Sequence, residues 1–201
     1  MQSRHLTRII FALMGIALLV STQTAMAAGT VAGTTIANFA TVNYQVGGIS
    51  QTPLNSNTVS FVVDRKINLT VATVDVAAVS ISPGSSANVL TFTVTNTGNG
   101  TQDFLPSTIA VVPGQPAKFG VLLDGLDATS ATAYVDGNAN GTYEAGADTA
   151  TYIDELAPDG VKTVFIVSTF PLGLTNGVIA SYHLLAQALA GGGPGAQKVL
   201  R

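Results

Sequence analysis

From Val89 to Gly100 the chain reads VLTFTVTNTGNG. Leu90, Phe92 and Val94 alternate with Thr91, Thr93 and Thr95, which puts apolar side chains on one face of an extended segment and hydroxyls on the other, the period of a half-buried β-strand. Asn96-Thr-Gly-Asn-Gly then ends the run with residues suited to tight reversals. The same texture recurs in β-branched runs at Thr41–Val46, Thr58–Val63, Ile67–Val74, Ala117–Leu123, Ala131–Val135 and Val161–Thr169. Turn signals separate them, among them Gly47-Gly48, Pro83-Gly84, Pro113-Gly114, Asp124-Gly125, Asp159-Gly160 and Asn176-Gly177. Many short strands with no helix between them predict an all-β sandwich or barrel, not a βαβ fold.

Some runs can be placed more finely. Val59, Phe61 and Val63 face one way, with Thr58 and Ser60 opposite. In Val161–Thr169 both faces are apolar, which predicts an interior strand. Ala180–Leu189 is ambiguous: Leu184, Leu185, Ala188 and Leu189 would also suit a helical stripe, and only the surrounding strands favour a strand. Asp64-Arg65-Lys66 marks a boundary. Before it, residues 28–66 read as a hairpin whose strands are joined by a polar loop at Gly47–Asn57; after it, 67–190 hold enough strands for a sandwich, and 191–201 form a flexible Gly-rich tail. A hairpin is not stable alone in water, so it must pack on the sandwich or pair with another molecule.

Residues 1–27 are set apart. Arg4, His5 and Arg8 precede the apolar run Ile9–Val20, and Ala25-Met26-Ala27 follows as an A-x-A cleavage signal. This is the pattern of a signal peptide, and the run is shorter than the roughly 20 residues a membrane span needs. Export in a bacterium, to the periplasm, cell surface or medium, is the expected location, with no membrane span after leader removal. The formal charge of the chain is −3; without Arg4 and Arg8, six basic residues face eleven acidic ones. A mildly acidic chain with no basic cluster argues against a nucleic-acid partner. No cysteine and no tryptophan occur, which excludes disulfides, thiolate metal sites and the disulfide-packed Trp of antibody domains.

Four stretches together resemble a known group: Asn38–Tyr44 with Ser56–Asp64, Val89–Gly100, Tyr134–Tyr143 (YVDGNANGTY), and Leu156–Gly160 leading into Val164-Phe-Ile-Val. In that order they look like the immunoglobulin-like repeat of the domain-of-unknown-function-11 type, found in bacterial surface and secreted proteins. The resemblance implies an immunoglobulin-like β-sandwich at 67–190 carrying the additional N-terminal hairpin, and a non-enzymatic spacer or adhesive module.

The chemistry-bearing residues are few. In Asp136–Asp148, DGNANGTYEAGAD, oxygen-bearing side chains recur at Asp136, Asn138 and Asn140 before Gly141, the start of a calcium-type loop. Glu144 and Asp148 complete the expected calcium ligand set, although the position for a bidentate acid holds Ala147. The alternative is a metal-free Asx-turn. No other cofactor is expected. His183 is the single histidine after the leader, so paired-His zinc sites and Cys–His nucleophiles are excluded. Asp154 and Glu155 are adjacent and, on a regular strand, point to opposite faces. Asn68, Asn99 and Asn140 open N-x-T triplets that read as composition, not as glycan acceptors. No catalytic set emerges. The expected function is thus an exported structural or matrix module, stiffened by calcium if the loop binds it, with other envelope or matrix proteins or copies of itself as partners. Its first alternative is a filament subunit that donates an N-terminal strand to its neighbour, and its second a carbohydrate-binding accessory domain.

Overall fold

The computed structural model describes residues 29–120 and 122–189. The leader at 1–27 and the tail at 191–201 lie outside the described residues. The fold is all-β, with thirteen strands and no helix among the described residues, and so no helix long and apolar enough to cross a membrane.

Six short strands build one long hairpin: β1 (Thr35–Asn38), β2 (Thr41–Val42), β3 (Gln45–Val46), β4 (Ile49–Ser50), β5 (Leu54–Asn55) and β6 (Val59–Val62). β3 pairs with β4, β2 with β5 and β1 with β6, all antiparallel. The polar stretch 47–57 is therefore not one loop: it contains the returning strands β4 and β5. The turn is only Gly47-Gly48, whose φ values of 60° and 81° satisfy a two-residue turn with positive φ at both positions.

Seven strands form the body: β7 (Leu69–Thr73), β8 (Asn88–Asn96), β9 (Gln102–Ala110), β10 (Ser130–Val135), β11 (Ile153–Leu156), β12 (Val161–Thr169) and β13 (Tyr182–Ala188). They make a four-stranded sheet, β10-β12-β8-β7, and a three-stranded sheet, β11-β9-β13, packed as a sandwich. Val94, Phe104, Ala133, Val135, Ile153, Val164, Ile166 and Leu184 are the buried cluster between them. β12 lies inside its sheet, between β10 and β8, as its two apolar faces predict. Val164 and Ile166 enter the core, while Phe165, on the opposite face and also fully buried, packs edge-on against Tyr143 at 5.9 Å. The ambiguous segment at 180–189 is strand over Tyr182–Ala188.

Two strands depart from the pattern. β9 was hidden by Gln102, Asp103 and Pro106, yet it is the middle strand of its sheet. Proline is admissible there because β11 pairs only with Gln102–Phe104, which leaves the flank beside Pro106 without a neighbour strand. Conversely, the described residues of the β-branched run at 117–123 contain no strand, only Leu123 in a bridge with Pro116, and Phe119 and Leu122 line a cleft beside β7 and β13.

Buried polar groups close the other end. Asn96, fully buried, donates from Nδ2 to the Gly100 and Leu156 carbonyls at 2.9 and 2.8 Å and accepts from the Gly98 amide at 2.9 Å. Asn99 roots the hairpin to this end. Its Nδ2 donates to the Thr30 and Asp64 carbonyls, its Oδ1 accepts from the Lys66 amide at 2.7 Å, and its carbonyl accepts from Ala32. The Arg65 guanidinium adds a bond to the Thr101 carbonyl. Gly98 is obligatory here because a Cβ would meet the Lys66 carbonyl oxygen at 2.4 Å.

Candidate functional site

Three features can carry function: the loop after β10, an acidic trio at the β9–β11 edge, and the hairpin.

The loop begins where Asp136 leaves β10 with its amide bonded to the Thr163 carbonyl at 3.0 Å. The chain then reverses through Ala139 at φ 58° and Gly141 at φ 77°. Asp136, Asn138, Asn140, Glu144 and Asp148, the residues expected as calcium ligands, all lie on this reversal, but Asp136, Glu144 and Asp148 do not form a group of acids with ligand oxygens within 4.8 Å of one another. Asp148, fully buried, accepts from the Gly137 amide at 2.8 Å and the Glu144 amide at 2.7 Å, one bond to each oxygen. Asp136 accepts from Gly141 at Oδ2 (2.8 Å). Asn138 and Asn140 each accept from the amide two residues on, the geometry of Asx-turns, and both donate to Glu144 Oε2. Most candidate oxygens thus already accept backbone N–H groups, which gives the loop its shape without an ion. Asp136 Oδ1 is the exception: buried, with no hydrogen-bond partner. An orphaned, buried carboxylate oxygen is the one feature of the loop that a hard cation would satisfy. Asp136 and Glu144 would be its anchors. Tyr143 stacks 5.8 Å from Tyr134 and covers Phe165. Its phenol is pushed above the ordinary value near 10 by burial first, then by Tyr134 and the Asp148 carboxylate.

The acidic trio is a site that spacing concealed. One oxygen from each of Asp103, Asp154 and Glu155 lies within 4.8 Å of the others. The register moves from Ile153↔Phe104 to Leu156↔Gln102, so β11 has an extra residue, and Glu155 adopts φ 50°. This bulge breaks the alternation that would have separated the two adjacent acids. Asp103, fully buried, accepts from the Glu155 amide at 2.7 Å, and its Oδ2 is buried without a hydrogen-bond partner. The arrangement is chemically able to hold a cation. Nothing in the sequence pointed to it, because Asp103 lies in β9, which was unreadable as a strand.

His183 pairs with Ile109 at the start of β13 and lines the cleft beside β7 and β13.

The hairpin is the third feature. Every residue of its six strands is exposed. Cross-strand pairs Ile36↔Phe61, Val42↔Leu54 and Val46↔Ile49 share one face with Val59, which faces Asn38. Thr41↔Asn55 and Gln45↔Ser50 lie on the other face, joined by side-chain bonds. The returning strand gains one residue relative to its partner twice, between Val59 and Asn55 and between Leu54 and Ser50. Each bulge restores the parity of the apolar residues, so Phe61, Val59, Leu54 and Ile49 stay on one side. No family model, no curated protein and no solved structure matches this chain.

Proposed function

We propose that this chain is a non-enzymatic structural protein of the cell exterior that joins to further copies of itself through the hairpin arm. The observation that carries the reading is the exposed apolar face of the arm. Ile36, Val42, Val46, Ile49, Leu54, Val59 and Phe61 are 36% to 69% exposed. Two strands in water are marginal unless something covers such a face. Residues 28–63 also contain no Asp, Glu, Lys or Arg, so the arm lacks the charges with which natural sheets discourage edge pairing. The immunoglobulin-like character of the body and its kinship with the surface-protein repeats belong to this proposal, supported by the two-sheet packing and the quoted motifs. Light scattering of the exported, processed protein tests the reading. Mass should rise above one chain with concentration and fall back in the Ile36→Ser/Phe61→Ser variant; one-chain mass at every concentration would overturn it.

A second reading concerns calcium, favoured by the orphaned Asp136 Oδ1. An ion held by Asp136 and Glu144 would tie the loop that covers Phe165, and so stiffen the outer face of the larger sheet. Extracellular modules of this kind bind with Kd of about 10⁻⁴–10⁻³ M. Calorimetric titration of the protein with calcium tests it: saturable heat lost in Asp136→Asn supports the site, and no heat in the wild type overturns it.

A further inference from the structure

We propose that the apolar face of the arm is covered by the same face of a second copy's arm, the two lying antiparallel about a twofold axis, so that assembly closes at two chains. The inference rests on the assembly reading and names the surface it uses. All six arm strands are exposed at every residue, and no strand of the body is. The uncovered apolar pairs run the length of the arm: Ile36↔Phe61 at the root, Val42↔Leu54 near the middle and Val46↔Ile49 at the tip. The opposite face is already satisfied, with the Thr41 hydroxyl donating to Asn55 Oδ1 at 2.7 Å and Gln45 Nε2 donating to the Ser50 hydroxyl. Pairing through a strand edge would extend the arm and leave its apolar face in water. Stacking face on face is what removes that face from water.

Three observations select a second arm as the occupant. The first is area. From their fractional exposures, the apolar residues on this face present roughly 700 Å², close to the about 800 Å² that each partner brings to a standard-size interface. A second arm presents the same area, so neither face outgrows the other. The second is chemistry. Residues 28–63 contain no Asp, Glu, Lys or Arg, so two arms meet without burying a charge. The cleft beside β7 and β13 does not match the arm, because Asp75, Lys118, Tyr182 and His183 stand in its lining. The third is the pattern along the arm. Apolar pairs at root, middle and tip let an antiparallel stack set root on tip and middle on middle, with Val42↔Leu54 beside the axis. Thr35 to Gly47 covers about 40 Å of strand, which sets the two bodies at opposite ends. A parallel stack would instead bring both two-sheet bodies to one end across a spacing of about 10 Å. A patch that meets itself makes an isologous contact, which closes as a dimer and does not propagate.

The absence of cysteine makes cross-linking decisive. Single-cysteine variants of the exported, processed protein are joined with a short bismaleimide, each alone and in mixtures. Val42→Cys, beside the axis, should link to itself. Ile36→Cys at the root and Val46→Cys at the tip should link to each other several-fold more than either links to itself. Gln45→Cys, on the opposite face, should link least. Light scattering of the unmodified protein should level off at the mass of two chains. Val42→Lys and Val42→Glu should each return to one-chain mass with the thermal transition preserved, and their mixture should regain two chains, which a folding defect would not allow. Self-links at Ile36→Cys and Val46→Cys without the mixed product, strongest linking at Gln45→Cys, or a mass that climbs past two chains would overturn the antiparallel pair and leave assembly standing. One-chain mass for the unmodified protein at all concentrations overturns assembly and pair together.

Discussion

The arm and the body are written in the same alphabet and meet opposite fates. Thr58-Val-Ser-Phe61, running into β6, and Leu90-Thr-Phe-Thr-Val94 in β8 both alternate apolar and hydroxyl residues, yet Val94 is fully buried while Val59 and Phe61 are 63% and 61% exposed. Alternation specifies a strand and the face on which apolar side chains stand. It does not specify what covers that face. In the body the cover is the second sheet; for the arm, in the isolated chain, there is none. The difference is positional. β8 pairs on both sides, with β7 and β12, whereas β6 has only β1.

The comparison can be broken most forcefully in the core. Ile166→Ala, in β12, should cost about 2–5 kcal/mol in a urea unfolding curve, whereas Val59→Ala at one-chain concentration should change stability by less than about 0.5 kcal/mol. Equal costs would mean that the arm is packed on its own body. Asn96→Ala comes next, because the Gly100 and Leu156 carbonyls and the Gly98 amide would lose their partner; the loss expected in the same assay is about 3 kcal/mol. At 10 mM calcium, the weak site should raise unfolding free energy by about 1–3 kcal/mol. That gain should vanish in Asp136→Asn and persist in Asp103→Asn; the reverse pattern would move the ion to the acidic trio. The smallest effect is alkaline. The Tyr143 phenol, held above its ordinary value in the folded protein, stays protonated where the unfolded chain has begun to ionise. The native state then binds more protons, and stability falls as pH rises through 10 and beyond. Thermal unfolding of Tyr143→Phe should show a shallower alkaline decline than the wild type.

How much of this was legible follows from where each signal resides. The interior strand at 161–169 and the hairpin before Asp64 could be read because both depend on local pattern. β9 could not, since Pro106 and its polar start are excused only by the shortness of the strand beside it, a non-local fact. The β-branched run at 117–123 has strand propensity, but its described residues pair only locally, through the Pro116↔Leu123 bridge and the Ala117 amide on the Leu122 carbonyl. The turn at 136–148 was visible from its Asp, Asn and Gly spacing, because a reversal this tight is local. The trio at Asp103, Asp154 and Glu155 was not, because a bulge with one positive-φ residue decides where two adjacent acids point. The exposed apolar face of the arm lay between these cases: its strands were readable, but the two bulges that align the face became visible only with the register in hand.

Hydrogen exchange across a concentration series measures the central claim most directly. Amides of residues 35–62 should exchange rapidly at dilution, as in an uncovered hairpin, and become protected in step with the rise in mass. Protection of the arm already at one-chain mass, or full-mass assemblies in which residues 35–62 still exchange freely, would contradict the account.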